Sequence, residues 1–159
     1  MTSEIEPTST RRDEAPRPKK KRLDPLLVGN VGLYYCCYHL SLLGWNVMPT
    51  ARNARGVDII AYNHDASHFV GVQVKALSQR AAVPLGTSLD NIMGDFWVVV
   101  NRVTSNTPAA FVMLPCEVRK RATMSGRDGR ASYWLEPRDY EEEPFRDAWE
   151  AIGNPLIEG

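Results

Sequence analysis

Five consecutive apolar residues, Phe96-Trp97-Val98-Val99-Val100, constrain this chain's fold more than any other feature of it. A strand with one wet face alternates apolar and polar residues, whereas an unbroken run belongs where both faces are covered. The chain must therefore supply layers on both sides of a sheet. Ala110 to Leu114 repeats the pattern, and Phe69 to Ala76 is rich in valine. Trp45 to Pro49 is short and apolar, and Val57 to Tyr62 begins directly after the Arg55-Gly56 turn. The segment Asn63-His64-Asp65-Ala66-Ser67 has the composition of a hairpin loop, so residues 45–76 are predicted to form a three-stranded meander.

A helix is expected before the meander. Asp24 suits an N-cap and Pro25 the first helical position. From Leu26 to Leu43 apolar residues recur on nearly every side, the pattern of a buried helix, and Gly44 supplies the stop. Gly29 and Gly32 each cost a helix ~1 kcal/mol relative to alanine, which argues for close backbone packing near its start. Downstream, the pattern predicts a loop from Ser78 to about Met93, a short helix over 117–122, a strand over 132–135 and a helix over 143–152. Such an order implies a mixed sheet flanked by helices, an α/β or α+β layer architecture.

With 159 residues, 43% of them hydrophobic, the chain can bury one core, assigned here to residues 25–159. Residues 1–24 are rich in Pro, Ser, Thr and charge and are expected to form a disordered basic tail. The zero net charge conceals a polarity. Residues 1–22 carry seven Lys/Arg against four Asp/Glu, residues 23–135 ten against seven, and residues 136–159 two against eight. The run Arg17-Pro18-Lys19-Lys20-Lys21-Arg22 could neutralise phosphates or simply be solvated charge. No stretch reaches the ~18 apolar residues of a membrane span and no signal-peptide core is visible, so a cytoplasmic protein is expected. Cys36, Cys37 and Cys116 lack CxxC spacing, and His39, His64 and His68 add no ligand pattern. That argues against a disulfide framework and against structural zinc, and predicts buried thiols.

Four short motifs then line up: Gly29-Asn30-Val31-Gly32 in a helix, Gly44-Trp45-Asn46-Val47, Gly56-Val57-Asp58-Ile59-Ile60, and Val72-Gln73-Val74-Lys75. In this element order they resemble the PD-(D/E)XK nuclease superfamily, nearest the Holliday-junction resolvase and Mrr-type branch, over residues 27–114. The resemblance implies a restriction endonuclease-like mixed central sheet flanked by helices. It further implies metal-dependent hydrolysis of DNA phosphodiester bonds with Mg²⁺ or Mn²⁺, and dimers of the kind that resolvases and restriction enzymes form. Carried over by position, Asp58 and Gln73 would hold the metal and Lys75 would serve the nucleophile. The alternative is a nuclease-fold module that has lost catalysis and binds nucleic acid or a protein partner.

Elementary chemistry agrees with that set. Alternation puts Gln73 and Lys75 on one face of their strand, and a paired Asp58 could share it. An oxygen ligand set for Mg²⁺ beside an ammonium suits phosphodiester hydrolysis, where charge develops on phosphate oxygens. One departure stands out: the family's first-helix Glu position is occupied by Leu33, and no acidic residue lies between Asp24 and Asp58. Arg52 and Arg55, on the loop leading into Asp58, could grip phosphates or merely solubilise the loop. Arg80, Arg102, Arg119, Lys120 and Arg121 are weaker candidates, and Trp45, Trp97, Trp134 and Trp149 read as core.

Overall fold

In the computed structural model, residues 22–51, 55–127 and 130–155 are described, apart from the side chains of 127 and 130. The basic residues Lys19, Lys20 and Lys21, the rest of the proposed tail before Arg22, and Arg52 lie outside the described residues. Asp24 caps the first helix, its Oδ1 accepting the Leu26 N–H at 2.8 Å, and Pro25 opens α1 (Pro25–Leu42). Gly44, at φ +95°, turns the chain out of the helix.

The predicted meander follows as β1 (Asn46–Pro49), β2 (Ile59–Tyr62) and β3 (Phe69–Ala76), paired antiparallel with Asn46 opposite Tyr62 and Ile59 opposite Val72. The segment from Ser78 to Met93, expected to be a loop, instead carries β4 (Val83–Gly86) and a 3-10 turn at Leu89–Asn91. The chain then enters β5 (Phe96–Asn101), parallel to β3 with Gln73 beside Trp97, and returns antiparallel in β6 (Ala109–Met113). After α2 (Pro115–Arg121) come β7 (Thr123–Arg127), β8 (Arg130–Leu135) and α3 (Pro137–Tyr140). The result is a five-stranded mixed sheet, order β1-β2-β3-β5-β6, and a three-stranded sheet, order β4-β8-β7. The α/β class with a mixed central sheet is as the sequence predicts.

The apolar run of β5 explains the layering. Val98 and Val100 face α1 through Val28, Cys36, Leu40, Ile59 and Val72, all buried. Trp97 and Val99 face Val83, Leu85, Phe111, Val118, Leu135 and Tyr140. Each such side chain contributes about 1.5–3 kcal/mol by leaving water. The second face is thus covered largely by the small sheet rather than by helices. The expected helix at 143–152 is two 3-10 turns, Glu143–Phe145 and Trp149–Ile152. Between them the Asp147 N–H donates to the Ala110 carbonyl and Arg146 bridges Phe111, so the open edge of β6 outcompetes helical pairing.

Candidate functional site beside Asp58

Asp58 owes its position to an irregularity at the entry to β2. Ile59 is the register partner of Val72, yet the Asp58 N–H also donates to the Val72 carbonyl at 2.9 Å. Two residues on one strand then oppose one on the other, the arrangement of a β-bulge, which re-aims a side chain. The turned carboxylate takes up the next ladder position itself: Asp58 Oδ2 accepts the Val74 N–H at 2.7 Å. On the other flank the Asp58 carbonyl accepts from the Thr50 N–H at 2.9 Å, and Thr50 Oγ1 donates to the Val57 carbonyl at 2.6 Å.

Asp58 therefore lines a pocket of about 380 Å³ between the start of α1 and the β1–β2–β3 corner. Gly29, Asn30 and Leu33 of α1 line it together with Val74 and Thr50. The proximity of Asp58 to α1 also registers on Cys36. Burial pushes that thiol far up, and the neighbouring Cys37 and Asp58 charges add to the effect. Cys36 is accordingly a protonated core residue, not a nucleophile. Asn30 belongs to the Gly29–Gly32 motif, whereas Thr50 was not singled out in the sequence; both line the pocket with Asp58.

Gln73 and Lys75 flank the same peptide but point elsewhere. Val74 and Ala76 line the Asp58 pocket, so alternation along β3 sends Gln73 and Lys75 to the opposite face. There Gln73 Oε1 accepts the Met93 N–H at 3.5 Å, a long contact, and Lys75 Nζ lies 5.5 Å from the centroid of the Trp97 ring. The expectation that all three polar groups share one face is corrected by the bulge, which moves Asp58 across the sheet. On β3 the Asp58 carboxylate reaches only the backbone amide of Val74, the residue between Gln73 and Lys75 in sequence. Leu33 and Asp58 line the same pocket.

The surrounding cations divide in the same way. Arg55 donates from Nη2 to Asn91 Oδ1 at 3.2 Å and is exposed, as is Arg22 beside α1. Arg80 pairs with Glu141 at 2.6 Å, Arg121 with Glu117 and Glu142, and Arg119 Nη2 donates to the Ile92 carbonyl; these three are engaged in holding the fold. Asp95 clips β3 to β5, its Oδ2 accepting the Gly71 N–H at 2.7 Å while its own N–H donates to the Gly71 carbonyl. Trp45, Trp97 and Trp149 are buried, but Trp134 is 36% exposed on β8, and Cys116 is exposed rather than buried. Among the described residues, no group of three or more His, Cys, Asp or Glu side chains converges as a metal site, and no helix is long and apolar enough to cross a membrane.

No family model and no curated protein matches this chain. Among solved structures, the bacterial homing endonuclease I-Ssp6803I is similar, with a TM-score of 0.53 and 15% identity over 80% of this chain and 92% of that one. At that identity the likeness is one of fold: the mixed α/β arrangement described above is an architecture that a nuclease also adopts.

Proposed function

We propose that this protein is a metal-dependent endonuclease acting on DNA, with Asp58 as its central acidic group. One observation carries the reading. The bulge before β2 holds the Asp58 carboxylate on the Val74 amide, at the peptide that joins Gln73 and Lys75, in a pocket open to solvent. The fold shared with a homing endonuclease supports it. Mg²⁺ or Mn²⁺ fits the chemistry of the donors, because Asp58 engages the Val74 N–H through Oδ2, leaving Oδ1 without a partner among the described residues, and Mg²⁺ is commonly held by one or two carboxylates plus water and substrate phosphate. When bound, the ion would polarise a phosphate and acidify a water. Asp58 would hold it; Gln73 Oε1, the second oxygen that the family resemblance supplies, lies on the other face of β3 beside Met93 in this structure. Lys75, as a cation two residues along β3, would offset charge on the phosphate, and Arg22, Arg52, Arg55 and Lys19 to Lys21 would contact the DNA backbone.

A second reading has its own support. Leu33 stands where a further carboxylate could face Asp58, and Gln73 and Lys75 are turned to the other face of the sheet. That favours a nuclease-fold module that binds DNA without cutting it. A cleavage assay on single-stranded, duplex and branched DNA with Mg²⁺ or Mn²⁺ separates the two. The nuclease reading expects slow cleavage that Asp58→Asn and Lys75→Ala each abolish. Binding that weakens with salt but no cleavage with either metal would establish the module instead. Absence of binding at low salt would overturn both.

A further inference from the structure

The first helix is apolar on two opposite sides, and only one of them is covered. Val28, Gly32, Cys36 and Leu40 are buried against the sheet. Opposite them, Leu27 is 47% exposed, Val31 39%, Tyr34 64%, Tyr38 60% and Leu42 67%. Their spacing of three and four residues places all five on one stripe. Residues 25–42 contain no Asp, Glu, Lys or Arg, so the stripe has none of the charge that keeps a solvated helix face wet. A helix apolar all round belongs in an interior. The five side chains present on the order of 600 Å², most of the roughly 800 Å² per partner that a stable interface buries.

We propose that this stripe is a homodimer interface, in which two copies of the chain pack α1 antiparallel about a two-fold axis near Tyr34. The occupant follows from the stripe itself. A two-fold contact requires a self-complementary surface. Reversing the helix about Tyr34 sets Leu27 on Leu42 of the partner subunit, Val31 on Tyr38 of the partner subunit, and Tyr34 on the partner's Tyr34. Leucine thus meets leucine, and a small side chain meets a large one, as ridges and grooves require. Within residues 25–42 a charged partner would find no Asp, Glu, Lys or Arg to pair with, the nearby charges being Arg22 and Asp24 at the Leu27 end. The first 21 residues offer little to match it, since Met1, Ile5 and Ala15 are the apolar side chains they contain apart from prolines. The stripe leaves Gly29, Asn30 and Leu33 free on the pocket side of α1, so the proposal is independent of any activity at Asp58.

Sedimentation velocity over low to high micromolar concentrations is the first test. The wild type dimerises, and Tyr34→Glu raises the dimer dissociation constant about thirtyfold or more, a hot-spot loss. Because Tyr34 is exposed, circular dichroism should show an unchanged fold. Cross-linking then fixes the geometry in a Cys116→Ser background, checked first to give no product with a short bis-maleimide. Tyr34→Cys cross-links to itself, and Leu27→Cys mixed with Leu42→Cys does so too. Leu27→Cys alone does not, since antiparallel packing separates those two sites by ~22 Å along the helices. A monomer at every concentration overturns the interface. So does a dimer that keeps its affinity in Tyr34→Glu and cross-links at none of these positions. Cross-linking of Leu27→Cys to itself overturns the antiparallel arrangement.

Discussion

The Asp58 carboxylate lies 2.7 Å from the Val74 amide, so the acidic residue of the candidate site is also a rung of the sheet. It replaces the carbonyl that a regular strand would offer at that position. One side chain thus serves fold and site together, and substitutions at Asp58 can be chosen to separate the two roles.

Asp58→Asn keeps an oxygen that can accept the Val74 N–H but removes the charge. Its unfolding free energy should stay close to wild type while cleavage and Mn²⁺ binding are lost. Asp58→Ala leaves the Val74 amide without a partner in a half-buried position and should cost about 1–3 kcal/mol. Urea denaturation of the two variants beside a cleavage assay checks this. Equal destabilisation by both would show that charge, not hydrogen bonding, braces β3.

Leu33→Glu places a second carboxylate across the pocket from Asp58. Mn²⁺ affinity, read by calorimetry, should rise on the order of tenfold, or about 1.4 kcal/mol. Adding Asp58→Asn should remove the gain. An affinity unchanged by Leu33→Glu would mean that the pocket is not where the ion binds.

Two glycines in α1 should respond in opposite directions. A Cβ on Gly32 would stand 2.3 Å from the Ala76 Cβ, so Gly32→Ala must push α1 off β3 and should cost about 1–3 kcal/mol, as overpacking does. A Cβ on Gly29 meets nothing within 4 Å, so Gly29→Ala should stabilise by up to about 1 kcal/mol through helix propensity. Thermal unfolding of both variants tests the pair.

Stability should fall in mild acid through His39. Its ring stacks on Trp149 at 4.7 Å between centroids, and burial lowers its pKa below the ordinary 6.5, with the Asp147 charge opposing less strongly. As pH drops through that ordinary value, the unfolded chain takes up the proton first, which favours unfolding. The loss begins below about 7 and levels off once pH is below the folded-state pKa. His39→Gln should flatten that part of the pH–stability curve relative to wild type. Parallel curves would remove His39 as the cause.

Much of the core could be read directly from residue order. The run Phe96–Val100 demanded a strand covered on both faces, and Val98 and Val99 are both fully buried. Asp24 and Pro25 marked the start of α1 because capping is a local interaction, and Gly44 marked its end for the same reason. The hairpin between β2 and β3 was legible in Asn63 to Ser67, whose side chains bond to one another within the loop. Cover for the second face was not legible. β4 alternates but is only four residues long and contains Pro84, and β7 is polar with a glycine; neither announces a strand. They become strands because β8 lies between them to pair with both.

The candidate site divides along the same line. Asp58, Gln73 and Lys75 could be selected from sequence because residue type and spacing along a strand are local properties, and alternation placed Gln73 and Lys75 on one face together. Which face Asp58 takes was decided by a single extra residue opposite Val72, a bulge that depends on how β1 and β3 hold β2 from both sides. Tertiary packing alone also set Leu33 across from Asp58 and left Leu27, Tyr34 and Tyr38 exposed, since the apolar pattern of α1 is almost the same all round. A helix with no polar side carries no instruction about its orientation. The missing side chain at Gly32, where a Cβ would stand 2.3 Å from that of Ala76, supplies one, because that face lets the helix lie close on β3.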